Sequence, residues 1–192
     1  MITLNTSAKI ICIGDSLTFG YGVSKSKNWI SLLNTNLGLS IVNKGINGDT
    51  STGVLSRFSK DILNSHCKIC IIMCGTNDIL CNRNIDFIID NLKIMINDCL
   101  SHNIKPIILS PPKVLDSLAK KRWDSHINYN KINENLAKFN TKLKWLCSTN
   151  NINFISLNNI IPKDTEYYID GIHLNEIGNT LIFQELKSIF LI

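Results

Sequence analysis

The chain has 192 residues, 44% apolar and 18% charged, with a formal net charge of +5. That length suits a single domain over residues 1–192, with a core that covers about 70% of the unfolded surface. The composition excludes a disordered chain, and the basic excess is too scattered to form a nucleic-acid-binding stripe.

Taken in chain order, the first residues are polar, and no basic segment leads into an apolar run. No export signal and no stable membrane insertion are expected, so the cytoplasm is the default compartment. The first apolar run is 9–13, and an amphipathic helix follows over 28–37. A second run, 39–43, precedes a segment, 52–63, with room for another helix. The third, 68–74, leads into the best helical pattern. In 84–102, Ile85, Ile88, Ile89, Leu92, Met95, Ile96 and Cys99 recur at helical spacing. The fourth run, 105–110, is followed by a long loop and a helix over 127–148. The fifth, 151–157, is followed by a helix over 176–190. Each run is nearly continuous in Ile, Val, Leu or Cys, as in strands covered on both faces. Strands alternating with helices predict parallel βαβ units and a three-layer α/β/α sandwich around a five-stranded parallel sheet.

Ile, Asn and Lys recur throughout, a bias read as compositional. The seven cysteines are odd in number, which argues against a disulfide framework. Cys67 and Cys70 have CxxC spacing, but no second ligand pair makes a zinc site, so no metal is expected. On one strand the two thiols would also point to opposite faces. The densest basic cluster is Lys120-Lys121-Arg122, which reads first as a solvated face.

In such folds, sites form at the C-terminal ends of strands. Gly14-Asp15-Ser16-Leu17 ends the first strand. Ser16 there is placed as a nucleophile, and Gly14 leaves room for a tight turn and a substrate. Alone, this tripeptide reads better as a helix cap. The second strand leads to Asn47-Gly48-Asp49-Thr50, a turn with exposed N–H groups. The third leads to Gly75-Thr76-Asn77-Asp78, where Asn77 brings an amide donor to the same rim. Asp170-Gly171-Ile172-His173 spaces an acid and a base three residues apart. Together these fill the roles an acyl-transfer site needs. Asp15 and Asp49 read as capping or loop-ordering groups, and His66, His102 and His126 as surface residues.

The four blocks resemble those of the SGNH superfamily, the GDSL esterases and lipases, and they span residues 14–173. The wording of the second block is most similar to the bacterial thioesterase/lysophospholipase and arylesterase branch. The resemblance implies a flavodoxin-like sheet and hydrolysis of small ester or thioester substrates without metal or organic cofactor. It implies Ser16 as nucleophile, His173 as base and Asp170 as its partner. The N–H groups of Ser16 and Gly48 and the Asn77 side chain form the implied oxyanion hole. The acyl pocket is expected between the loops after strands three and four, with Ile79, Leu115, Leu118 or Trp123 in its wall. A carbohydrate-ester deacetylase on the same scaffold is the main alternative. A binding module without catalysis is the third.

Overall fold

The computed structural model describes residues 2–3 and 9–191. Residues 4–8, part of the polar N-terminal stretch that argues against an export signal, lie outside them. In chain order the strands are β1 (Ile2–Thr3), β2 (Ile10–Gly14), β3 (Ile41–Gly45), β4 (Ile69–Met73), β5 (Lys105–Ser110), β6 (Asn153–Ser156) and β7 (Phe190–Leu191). Strands β2 to β6 form one parallel sheet in the order β3-β2-β4-β5-β6, the doubly wound order of flavodoxin-like proteins. β1 pairs with β7 in parallel, a small addition that the apolar runs do not predict.

Both faces of the sheet are covered at its centre, which is why β2 and β4 read as unbroken apolar runs, while the edge strands β3 and β6 carry Asn43, Lys44, Asn153 and Ser156. Every residue of β2 and of β4 is buried. Side chains alternate along β2. Ile11 and Ile13 pack with α3 (Ser51–Ser56), α4 (Phe58–Asp61), α6 (Ile85–Ser101) and α8 (Tyr129–Thr149) through Val54, Phe58, Leu92 and Phe139. Ile10 and Cys12 pack with α2 (Trp29–Leu37) and α10 (Glu176–Ile189) through Trp29, Leu33 and Leu186. The expected helix over 52–63 is the pair α3 and α4.

Two sequence readings change. The asparagine bias is put to structural use. Asn28, Asn84, Asn128 and Asn175 cap the N-termini of α2, α6, α8 and α10, each accepting backbone N–H bonds. Such caps are worth about 1 kcal/mol each. The thiols of Cys67 and Cys70 also join one core cluster, together with Cys99. β4 starts at Ile69, so Cys67 precedes the strand and the opposite-face argument does not apply.

The long loop 111–125 contains a helix, α7 (Asp116–Arg122). Its Leu, Ala, Lys and Arg residues favour helix, but no long apolar period marks it in the sequence. The remaining helices are short: α1 (Ser16–Phe19), α5 (Thr76–Leu80) and α9 (Leu157–Ile160). α1 and α5 open directly from the ends of β2 and β4, which puts their first residues on the C-terminal rim of the sheet.

Candidate active site

At the end of β2, Asp15 caps α1, its Oδ1 accepting from Leu17 N at 2.9 Å. Ser16 is the first residue of α1 and is buried but for its edge on the cavity. Gly14 is required by packing. A Cβ there would lie 2.0 Å from the Met73 carbonyl oxygen and 2.4 Å from Thr18 Oγ1. The expectation that Gly14 makes room for a substrate is therefore corrected: neighbouring protein fills that space.

His173 arrives from the loop before α10. Its Nε2 lies 2.8 Å from Ser16 Oγ, and its Nδ1 lies 2.8 Å from Asp170 Oδ2. Asp170 Oδ1 accepts from the backbone N–H of Ile172 at 2.9 Å and of His173 at 2.8 Å. Burial pushes the Asp170 carboxyl up, but these hydrogen bonds outweigh it and hold its pKa at about 2. An ionised carboxylate only accepts, so Nδ1 donates to it. In the neutral imidazole this leaves Nε2 as the acceptor facing the Ser16 hydroxyl. The loop is pinned by an antiparallel bridge between Tyr168 and Leu174 and by Leu115 N donating to Gly171 O at 2.7 Å.

Across the cavity, Gly48 has φ +77°, and a Cβ there would meet nothing within 4 Å. The position is therefore open to a ligand but strained for any other residue. Asn77 Nδ2 donates to Asp49 O at 2.8 Å. That uses one amide hydrogen to hold the Gly48 turn and leaves the other for the cavity. Asp78 is fully buried beneath, accepting from Ser51 N at 2.7 Å and from Ser51 Oγ at 2.8 Å. Arg57 Nε donates to Asp49 Oδ2 at 2.9 Å and Arg57 Nη2 to Gly14 O at 3.0 Å, tying the turn to the nucleophile strand. Asp15 is also buried, its Oδ2 has no hydrogen-bond partner, and burial raises its pKa to about 7.

The cavity over Ser16 has a volume of about 190 Å³. Gly48, Asn77 and His173 face it, and Leu80, Ile172 and Trp123 supply apolar wall. Three residues expected in that wall lie elsewhere. Ile79 is buried in the core, and its neighbour Leu80, about 100° further round α5, takes the position. Leu115 is buried in the core on the other face of the sheet, and Leu118 packs against that same cluster. Tyr21, Arg57 and Asp78 escape the sequence reading. Tyr21 packs at a tilt against His173, 4.4 Å between ring centroids, a partnership across 152 positions that no local spacing could signal. Among the described residues, no group of three or more His, Cys, Asp or Glu could hold a metal ion. No described helix is long and apolar enough to cross a membrane.

A doubly wound sheet with Ser16, Gly48, Asn77 and His173 gathered on one rim defines the class: a flavodoxin-like α/β protein built on four separated loop blocks. The chain belongs to the GDSL-like Lipase/Acylhydrolase family, which it matches over residues 12–181. It is 30% identical over 159 residues to the Bacillus subtilis (strain 168) protein named Uncharacterized lipoprotein YqeF, covering 74% of this chain and 63% of that one. It is 25% identical over 169 residues to the isoamyl acetate-hydrolyzing esterase of Saccharomyces cerevisiae, covering 79% of this chain and 68% of that one. The chain thus spans about two thirds of the length of these relatives. A crystal structure of a lipolytic G-D-S-L family member from Veillonella parvula superposes with TM-score 0.82 at 22% identity, covering 95% of this chain and 98% of that one. This last likeness concerns the fold.

Proposed function

We propose that this chain is a serine hydrolase that cleaves carboxylic ester or thioester bonds of small acyl substrates. The observation that carries the proposal is the Ser16–His173–Asp170 hydrogen-bonded chain, with 2.8 Å at both contacts. Nucleophile, base and orienting acid within hydrogen-bond reach are what acyl transfer requires.

His173 Nε2 takes the Ser16 hydroxyl proton as Oγ attacks the carbonyl carbon. The tetrahedral oxyanion accepts from the N–H groups of Ser16 and Gly48 and from Asn77 Nδ2. His173 then gives its proton to the leaving alcohol or thiol. Water, deprotonated by His173, attacks the acyl carbon, and His173 returns that proton to Ser16 Oγ as the carboxylic acid leaves. Asp170 balances the imidazolium at each stage.

The cavity of about 190 Å³ is smaller than the ~300 Å³ at which pockets for drug-sized ligands begin. It therefore suits a short acyl group, and the yeast relative is named for hydrolysing an acetate ester. A p-nitrophenyl ester series from acetyl to palmitoyl is the test. Turnover should be highest for the shortest acyl groups and vanish in Ser16→Ala. A Ser16→Ala variant with the wild-type rate would refute the proposal.

A second reading, deacetylation of carbohydrate esters, draws on Tyr21 and Trp123. They are 43% and 54% exposed beside the cavity, where sugar rings could stack. Acetyl release from acetylated sugars, with sharp loss of rate beyond acetyl, would favour it over the general esterase. A binding module without catalysis predicts no turnover and no labelling of Ser16 by an active-serine phosphonate. The reading also places the chain in a reducing compartment such as the cytoplasm, supported by seven free cysteines, six of them buried.

A further inference from the structure

Two hollows meet beside His173. One is the cavity over the nucleophile. The other is a groove of about 510 Å³ lined by Tyr21, Arg122, Trp123, Ile169 and Asp170. Tyr21 and Trp123 line both. The same two rings flank the His173 imidazole, with centroids 4.4 and 5.7 Å from it.

Reaction chemistry assigns each hollow to one part of a substrate. The carbonyl oxygen turns toward Gly48 and Asn77, which line the smaller cavity. The leaving atom must receive its proton from His173. The groove borders Asp170, the group behind that imidazole, and contains neither Gly48 nor Asn77. It meets the cavity over Ser16 at Tyr21 and Trp123, the two rings beside His173, so a leaving group protonated by His173 has this groove to enter.

The groove has a cation in its wall. Arg122 is exposed and forms no ion pair among the described residues. Helix-dipole attraction accounts for basic residues in the last turn of α7, and Lys120 also lies in the field of Asp116. Neither effect requires a guanidinium in the groove. Asp170 shares that wall, but its oxygens are engaged by His173 and Ile172. A planar guanidinium fork matches carboxylate and phosphate oxygens in pairs.

Resting on the hydrolase function above, we propose that this groove is the leaving-group subsite and that Arg122 binds an anionic group, carboxylate or phosphate, on the alcohol or thiol part of the substrate. Acetate esters of one phenol skeleton isolate that charge: 4-acetoxybenzoate, 4-acetoxyphenyl phosphate, neutral 4-acetoxybenzamide and cationic 4-acetoxyphenyltrimethylammonium. The readout is kcat/KM for each charged ester divided by that for the amide. Comparing this ratio between variants cancels the intrinsic reactivity of each ester. Arg122→Gln should lower the ratio for at least one anionic ester about tenfold, the scale of a charge-assisted hydrogen bond. Arg122→Glu should lower it further and raise the ratio for the cationic ester. Arg122→Lys should retain part of it, because the charge stays and the fork is lost. A fall for the phosphate alone assigns the anion as phosphate, and a fall for the carboxylate alone assigns it as carboxylate. An unmoved ratio in Arg122→Gln overturns the proposal. So does an equal fall in Lys121→Gln, which would make the effect one of net charge. If even the amide ester shows no Ser16-dependent turnover, the hydrolase function fails, and this subsite fails with it.

Discussion

The loops that carry Ser16, Gly48 and Asn77 and the segment that carries Arg122 and Trp123 border the same cavity but are built differently. The first group is fastened from beneath. Asp78 and Ser51 are buried and bonded to each other, and Arg57 ties Asp49 to the Gly14 carbonyl. In the second, α7 is anchored at its start, where Leu115 N meets Gly171 O, while Arg122 and Trp123 at its end are exposed. Groups that must meet a transition state within a fraction of an ångström gain from a locked support. Groups that meet variable parts of a substrate do not need one. Substitutions in the first region should therefore cost rate or stability, and those in the second should change selectivity.

The largest effect should come from Asp170→Asn. The amide can donate as well as accept, so it no longer enforces the Nδ1–H tautomer that leaves Nε2 free for Ser16. We expect kcat to fall about 10³–10⁴-fold, as when this partner is lost in other triads, with the fold kept. Steady-state kinetics beside circular dichroism would check it. A loss of less than tenfold would make Asp170 a loop anchor only. Next comes Asp78→Ala. It leaves Ser51 N and Ser51 Oγ without their buried acceptor. The cost should be about 2–4 kcal/mol, and kcat should fall as the Gly48 turn loosens. Unchanged denaturant midpoint and rate would show that the buried support is not what holds this loop.

Asp15 gives a smaller effect that depends on pH. Its pKa is about 7 in the fold against about 3.8 unfolded, so the native state binds its proton more tightly. Between those values the native state carries the extra proton, and stability falls as pH rises from about 4 to about 7. Above pH 7 the penalty is complete. Asp15→Asn removes the ionisation and keeps an oxygen for Leu17 N. The variant should match wild type near pH 4 and become increasingly more stable than wild type as pH rises toward 8. A difference in Tm that is the same at both pH values would contradict this.

What could be read in advance follows the same division. The central strands of the sheet were legible because burial on both faces leaves almost no polar residue in them, as in β2 and β4. Helices α6 and α8 were legible because one apolar face is long enough to repeat. The site was legible where spacing is local, as between Asp170 and His173, or where a strand end marks a position, as at Ser16. The buried network was not. Carboxylates are rarely buried, and nothing in the sequence says that Asp78 turns inward to Ser51 while Asp86 stays exposed. The wall of the cavity was least legible, because whether Ile79 or Leu80 faces it depends on one step of rotation in a helix of five residues.

The smallest expected effect is also the sharpest check on the second region. Trp123 is 54% exposed, and its backbone N–H closes the last turn of α7 on Ala119 O at 2.8 Å. Trp123→Ala keeps that bond and removes a ring that lies 5.7 Å from His173 and borders both hollows. Exposed substitutions usually shift stability by less than about 0.5 kcal/mol, so Tm should move by no more than about 2 °C. KM for esters with a bulky alcohol should rise several-fold, and kcat should stay within about threefold, because no hydrogen bond of the Ser16–His173–Asp170 chain is touched. Thermal melts and a two-ester kinetic comparison would measure both. A fall in kcat beyond tenfold at unchanged Tm would mean that the ring holds the imidazole in place. The exposed end of α7 would then belong with the fastened loops, and the division drawn between the two regions would fail at this residue.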